Sequence, residues 1–179
     1  MTDSSKHVIT NSSIKETNRI TKPFKKLGFS KLDAVEVGTR LKVVLANYQA
    51  MYNKLRNFHW NVEGSEFFEL HEVFEREYGR LSTEIDRIAE RVRIFGLKPN
   101  STPSRIQQLS RIEESEKQIR PFEMVKTVKG DYEILHEVLL DCLESALDSG
   151  DVATEFMLSQ LVYELEKRHW MFTSYLNEK

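Results

Sequence analysis

The sequence is poor in the residues that staple, kink or turn a chain. A single cysteine, Cys142, stands in 179 residues. One thiol cannot close an internal disulfide, so a stapled secreted scaffold is excluded and a reducing, cytoplasmic compartment is expected. Only seven Gly and four Pro occur, well under the usual combined share of about 12%. That scarcity disfavours a many-turned β-sandwich or barrel and favours long helices. No apolar run approaches the ~18 residues of a membrane span, and the N-terminus lacks the apolar stretch of a signal peptide, so no membrane partner is expected. Charge of one sign is also missing. The formal net charge is -2, which argues against a uniformly basic nucleic-acid binder. Charged residues make up 30% and apolar residues 40%, ordinary values for a globular protein of one domain.

What is present divides into a tail and a body. Residues 1–31 are rich in Ser, Thr, Asn and Lys and show no sustained apolar period. Lys6, Lys15, Arg19, Lys22, Lys25, Lys26 and Lys31 face only Asp3 and Glu16, which gives this segment +5 and leaves the rest at -7. It is too polar to offset the entropy of ordering and is expected to be disordered. The body, 32–179, carries helical periodicity. Asp33 and Glu36 form a capping-box pattern, with Leu32 and Val37 as its staple. Leu41, Val44, Leu45, Tyr48, Met51, Tyr52, Leu55 and Phe58 then recur at three- and four-residue steps to a stop near Asn61. A second helix is expected over 66–95, closed by Gly96 and Pro99. A third begins at Pro121, with a break possible at Gly130, and ends at Ser149-Gly150. A fourth covers 151–176, with Val152, Leu158, Leu161, Leu165, Phe172 and Leu176 inward. The polar crossover 97–120 holds one short helical candidate from Thr102-Pro103, with Ile106, Leu109 and Ile112 on its face. The fold class is therefore all-α. It is a four-helix bundle whose single long crossover is the ferritin-like variant.

Chemistry concentrates on the first two helices. His71 and Glu75 form an i, i+4 pair on one face of the second helix, and Asp86 and Glu90 form another. Both lie about 110° from the apolar stripe. Such pairs are also common on a solvated flank, and His59 beside Trp60 is compatible with a satisfied interior histidine. Geometry adds a constraint. The two pairs are about 22 Å apart along the helix, whereas metal–ligand bonds are about 2 Å. They cannot share an ion within one chain. They can across a two-fold axis, because both pairs are symmetric about position 80.5: His71 falls opposite Glu90 of a second copy, and Glu75 opposite Asp86. Gly79 and Ser82 obey the same symmetry and allow close approach. His59 and His71 are equidistant from the turn near Ser65, so they should face each other within one chain. The expected site joins His59, His71 and Glu75 with Asp86 and Glu90 of the partner. Carboxylate and imidazole without thiolate suit iron or zinc rather than a structural zinc cage.

These residues resemble a known family. The stretch from Asn57 to Gly96, with HWN at 59–61, LHE at 70–72 and DRIAER at 86–91, is similar to the signature of the Dps mini-ferritins. The closing helix, 150–172, is similar to theirs as well. The resemblance covers roughly 32–179, with Glu75 standing where many members have Asp. It implies a hollow dodecamer that oxidises Fe(II), typically with hydrogen peroxide, and stores Fe(III) oxide, protecting DNA from oxidative damage. It also implies that His59, His71, Glu75, Asp86 and Glu90 are the ferroxidase ligands, two irons to each intersubunit site. Trp60 can then donate an electron to a stray oxidant, or serve only as interface packing. Family members line iron-admitting pores with acids near the last turn. Asp148, Asp151 and Glu155 are the candidates here, against capping by Asp151 and dipole compensation by Glu155. Some members bind DNA through Lys-rich tails, so the +5 tail, presented many times, is a DNA-binding and nucleoid-association candidate and the basis of an alternative, mainly DNA-compacting function. His7, His136 and His169 show no ligand-spaced partner, Cys142 reads as a small core residue, and Trp170 as packing.

Overall fold

The computed structural model describes residues 27–114 and 119–177. Its helices are α1 (Lys31–Asn61), α2 (Phe67–Ile94), α3 (Pro103–Leu109), α4 (Pro121–Asp148) and α5 (Val152–Asn177). The described residues contain no strand. The four long helices form two antiparallel hairpins, α1–α2 and α4–α5, and α1 also packs on α4 and α3. This is the expected bundle with its long crossover.

Apolar period decides the packing. Leu41, Val44, Leu45, Tyr48, Met51, Leu55 and Phe58 of α1 are all buried, as are Leu70, Phe74, Leu81, Ile88 and Val92 of α2. Each buried side chain of this size contributes roughly 1.5–3 kcal/mol through area removed from water. Val152 is the exception, since it is 70% exposed at the start of α5.

Helix ends follow local chemistry, with one correction. The cap of α1 is Ser30 rather than Asp33: the Ser30 side chain accepts from the Asp33 backbone N–H at 3.1 Å. Leu32 is correspondingly exposed and forms no staple. Phe29 explains the earlier start, because its ring packs 5.3 Å from Phe95 and draws the entering chain against the bundle. Lys31, read in the sequence as the end of the tail, is thus the first helical residue. The other tail candidates, Lys6, Lys15, Arg19, Lys22, Lys25 and Lys26, lie outside the described residues, as does His7. The turn from α4 to α5 needs a left-handed residue, and Gly150 supplies it at φ +64°. Gly130 does not break α4, which runs unbroken through it.

The crossover is tied down by one side chain. Asn47 of α1 is fully buried. Its Oδ1 accepts from the Arg111 N–H at 2.8 Å and from the Ile112 N–H at 3.3 Å, while Nδ2 donates to the Val43 carbonyl. Ile112 is buried after the end of α3, whereas Ile106 and Leu109 on the helix are half-buried.

Candidate metal centre

The α1–α2 hairpin brings His59 and His71 face to face. Their rings stack at 3.8 Å with 23° between planes. Each Nδ1 meets the other residue's backbone carbonyl, His59 to His71 at 2.8 Å and His71 to His59 at 2.9 Å. A carbonyl only accepts, so both Nδ1 atoms carry a proton, and in the neutral rings both Nε2 atoms keep a lone pair. His59 lies among the last four residues of α1, where carbonyls lack an intrahelical donor, so His71 satisfies a group the helix leaves open. This second contact is what metal-binding histidines use to fix their tautomer.

The aromatic surroundings hold the pair in place. Phe67 stacks on His71 at 4.9 Å, and Tyr78 meets His59 edge-on at 5.3 Å. Tyr78 in turn packs edge-on against Tyr52 at 5.9 Å. His59 is buried and His71 half-buried.

The carboxylates stand differently. Glu75, Asp86 and Glu90 are exposed, as are Gly79 and Ser82 between them. A Cβ added at Gly79 would meet nothing within 4 Å. One chain thus brings His59 and His71 together and leaves the three acids on an uncovered face of α2. Among the described residues no three His, Cys, Asp or Glu converge on a point in a single chain. The donor types present fit iron: two imidazoles fixed by backbone contacts, with hard carboxylates exposed on the same helix hairpin.

The other candidates fall into distinct environments. Trp60 is 63% exposed, and the Arg56 guanidinium lies 4.6 Å over its ring. Asp151 is buried. Its Oδ1 accepts from Arg91 at 2.6 Å and from the Thr154 N–H at 3.1 Å, and its Oδ2 accepts from the Thr154 hydroxyl. These contacts describe a neutralised capping carboxylate at the start of α5. Asp148 is exposed and Glu155 half-buried. Burial pushes the Cys142 thiol up to about 12, so it stays protonated and unreactive.

The bundle centre holds ionisable groups that apolar patterning hides. Lys54 of α1 and Asp131 of α4 pair at 2.6 Å, both nearly buried. Arg168 of α5 donates to Glu84 at 2.9 Å and lies 3.5 Å from Glu77, which also accepts from the Tyr132 hydroxyl at 2.7 Å. Burial raises the carboxyl of Glu84, and Arg168 opposes the shift. Glu77 and Glu84 sit seven residues apart on the apolar stripe between Phe74, Leu81 and Ile88, and that in-stripe spacing was the available signal.

An all-helical bundle with a long second-to-third crossover, bearing imidazoles and carboxylates on its first hairpin, defines a ferritin-like protein. A family model for the ferritin-like domain matches residues 39–179. Within that class the chain belongs to the Dps family. It is 38% identical to DNA protection during starvation protein 2 of Bacillus anthracis over 75% of this chain and 92% of that one. Its fold is similar to the Dps crystal structure from Vibrio cholerae O1, described as a member of a superfamily of ferritin-like diiron-carboxylate proteins, with TM-score 0.82, 33% identity, and 84% and 94% of the two chains covered. It is similar also to a Dps structure from Bacillus brevis, with TM-score 0.78, 37% identity, and 80% and 97% covered.

Proposed function

We propose that this protein is a ferroxidase and iron store that protects DNA by removing Fe(II) and peroxide together. Iron is its substrate. Fe(II) binds between His59, His71 and Glu75 of one subunit and Asp86 and Glu90 of another, two irons to a site. Two Fe(II) ions give one electron each to one hydrogen peroxide, which with two protons leaves as two waters. No free hydroxyl radical is released. Hard carboxylate oxygens favour Fe(III) over Fe(II), so they assist the oxidation. Fe(III) then mineralises inside a shell, which the family resemblance puts at twelve subunits. Asp148 and Glu155 are the acids exposed enough to draw cations toward a pore; Asp151 contributes through the helix start it caps. Trp60 can supply an electron to a stray oxidant.

The observation that carries this reading is the reciprocal His59–His71 contact, which leaves two Nε2 lone pairs one helical turn from Glu75. The direct measurement is Fe(II) oxidation by stopped-flow absorbance with peroxide or dioxygen. His59→Ala and Asp86→Ala should each slow the fast phase by about 10–100-fold. Wild-type rates in both variants would remove the site assignment.

The alternative is a mainly DNA-compacting protein acting through the basic tail. The +5 charge of residues 1–31 favours it. Salt-sensitive retardation of DNA by the full chain, lost on deleting 1–26, is its expected signature. The two readings are compatible.

A further inference from the structure

The second hairpin carries its own set of metal-type donors, away from the site above. Glu133 and His136 of α4 form a Glu-x-x-His segment, and Glu166 and His169 of α5 form another. Residues three apart share a helix face. The helices run antiparallel about the turn at Gly150-Asp151, so the segments cross: 133 and 169, like 136 and 166, are equidistant from position 151. The structure shows this pairing. His136 Nε2 lies 3.2 Å from Glu166 Oε1, and His169 Nε2 lies 3.1 Å from Glu133 Oε1. Both imidazoles are 33% exposed.

We propose that this α4–α5 groove is an accessory binding site for a divalent transition-metal ion of borderline softness, of the Zn(II) or Fe(II) class. The spacing fits. Two ligands in adjacent positions around a metal with bonds of about 2.1 Å stand about 3.0 Å apart in an octahedral shell and about 3.4 Å in a tetrahedral one. Each His–Glu pair already has that edge length. The two pairs are offset by three residues, about 4.5 Å along each helix. A small rotation of flexible glutamate side chains therefore brings a third or fourth donor to an ion seated on either pair. Without an ion the donors stand as two separate pairs, and no three of them meet at a point. Imidazole with carboxylate selects Zn(II) and Fe(II) over Ca(II) and Mg(II), which prefer all-oxygen shells.

One neighbour opposes the ion. Lys129 donates to Glu133 Oε1 at 2.6 Å. It competes for the same oxygen that His169 uses, and its charge repels a cation. Lys129 thereby sets the affinity, which gives the proposal a signed test.

Zn(II) is the probe, because it undergoes no redox change. Full-length protein carrying His59→Ala and Asp86→Ala lacks the intersubunit site, so zinc it retains reports other sites. Calorimetric titration of that protein should show about one zinc per chain, lost on adding His136→Gln and His169→Gln, with melting temperature as a check on folding. Lys129→Gln should tighten the same binding severalfold. Absence of zinc binding in the background protein, or binding unchanged by the two histidine substitutions, overturns the proposal. Unsubstituted protein provides a second readout. Zinc should protect His136 and His169 from diethyl pyrocarbonate, measured residue by residue by mass spectrometry. Equal labelling with and without zinc also overturns it. None of these measurements depends on iron oxidation, so the ferroxidase reading and this one can fail separately.

Discussion

Lys54 and Asp131 show what a single buried residue costs when its partner is removed. Asp131→Asn leaves the Lys54 ammonium almost fully buried beside a neutral amide. Loss of about 3–5 kcal/mol is expected in urea unfolding. The double variant Lys54→Met, Asp131→Leu removes both charges and should be no less stable than wild type, because desolvating an ion pair already cancels most of its attraction. Glu84 makes a pH-dependent prediction. Burial raises its carboxyl despite Arg168, so between the ordinary and the raised value the folded chain holds more of a proton than the unfolded chain does. Stability from this group falls as pH rises from the ordinary carboxylate value through the raised one. In Glu84→Gln that fall should vanish, seen as a urea midpoint that drops less as pH rises above the ordinary carboxylate range. These residues were poorly legible in the sequence. Glu77 and Glu84 lie on the apolar stripe, but a glutamate is read as solvent-facing until its cation is known. Here the cation, Arg168, is 84 residues from Glu84. The glutamate partners of His136 and His169 were hidden for the same reason, since each sits on the opposite helix of the hairpin.

At the scale of the element, most of the structure was readable. Apolar residues at three- and four-residue steps gave four long helices because only that period puts them on one face. Pro121 and Gly150 marked real boundaries through fixed φ and left-handed φ respectively. The start of α1 was less legible: Ser30 and Asp33 are both short polar caps, three residues apart, and the contact of Phe29 with Phe95 decides between them. Two glycines inside helices make opposite predictions. Gly130 of α4 faces open space within the chain, with nothing within 4 Å of an added Cβ. Gly130→Ala should therefore stabilise by about 1 kcal/mol, read as a higher melting temperature. Gly38 of α1 is buried where the chain leaving α2 crosses it, and an added Cβ would run onto Leu97 Cδ1. Gly38→Ala should lower the melting temperature, because close approach there outweighs helix propensity.

For the whole molecule, the question is whether one chain or two make the site. If His59 and Asp86 act across a two-fold interface, two inactive variants should complement. Subunits with His59→Ala mixed and reassembled with subunits carrying Asp86→Ala form hybrid pairs in which one site of the two is intact. Equal random mixing should restore about a quarter of wild-type oxidation. No recovery in verified mixed assemblies would overturn the assignment of His59 and Asp86 to one shared site. The charge division belongs to this scale too. A body at -7 gathers cations, while a tail at +5 would meet phosphate, and repetition in an assembly multiplies weak contacts. Deleting residues 1–26, which keeps Phe29 and the Ser30 cap in place, should abolish DNA retardation at low salt and leave Fe(II) oxidation unchanged.

The sequence by itself determined the helices, the crossover and the Dps resemblance, because these rest on period, spacing and local turn chemistry. It also gave the positions of His59 and His71 relative to their turn. Only the tertiary structure decided what each polar group does once helices meet. It fixed the histidine tautomers through two backbone carbonyls, turned Asp151 into a buried cap paired with Arg91, and hid Glu77, Glu84 and Asp131 beside cations from other helices. The physical reason is range. Backbone hydrogen bonding and apolar period act over a few residues, but the partner of a buried charge is chosen by packing between helices distant in the chain.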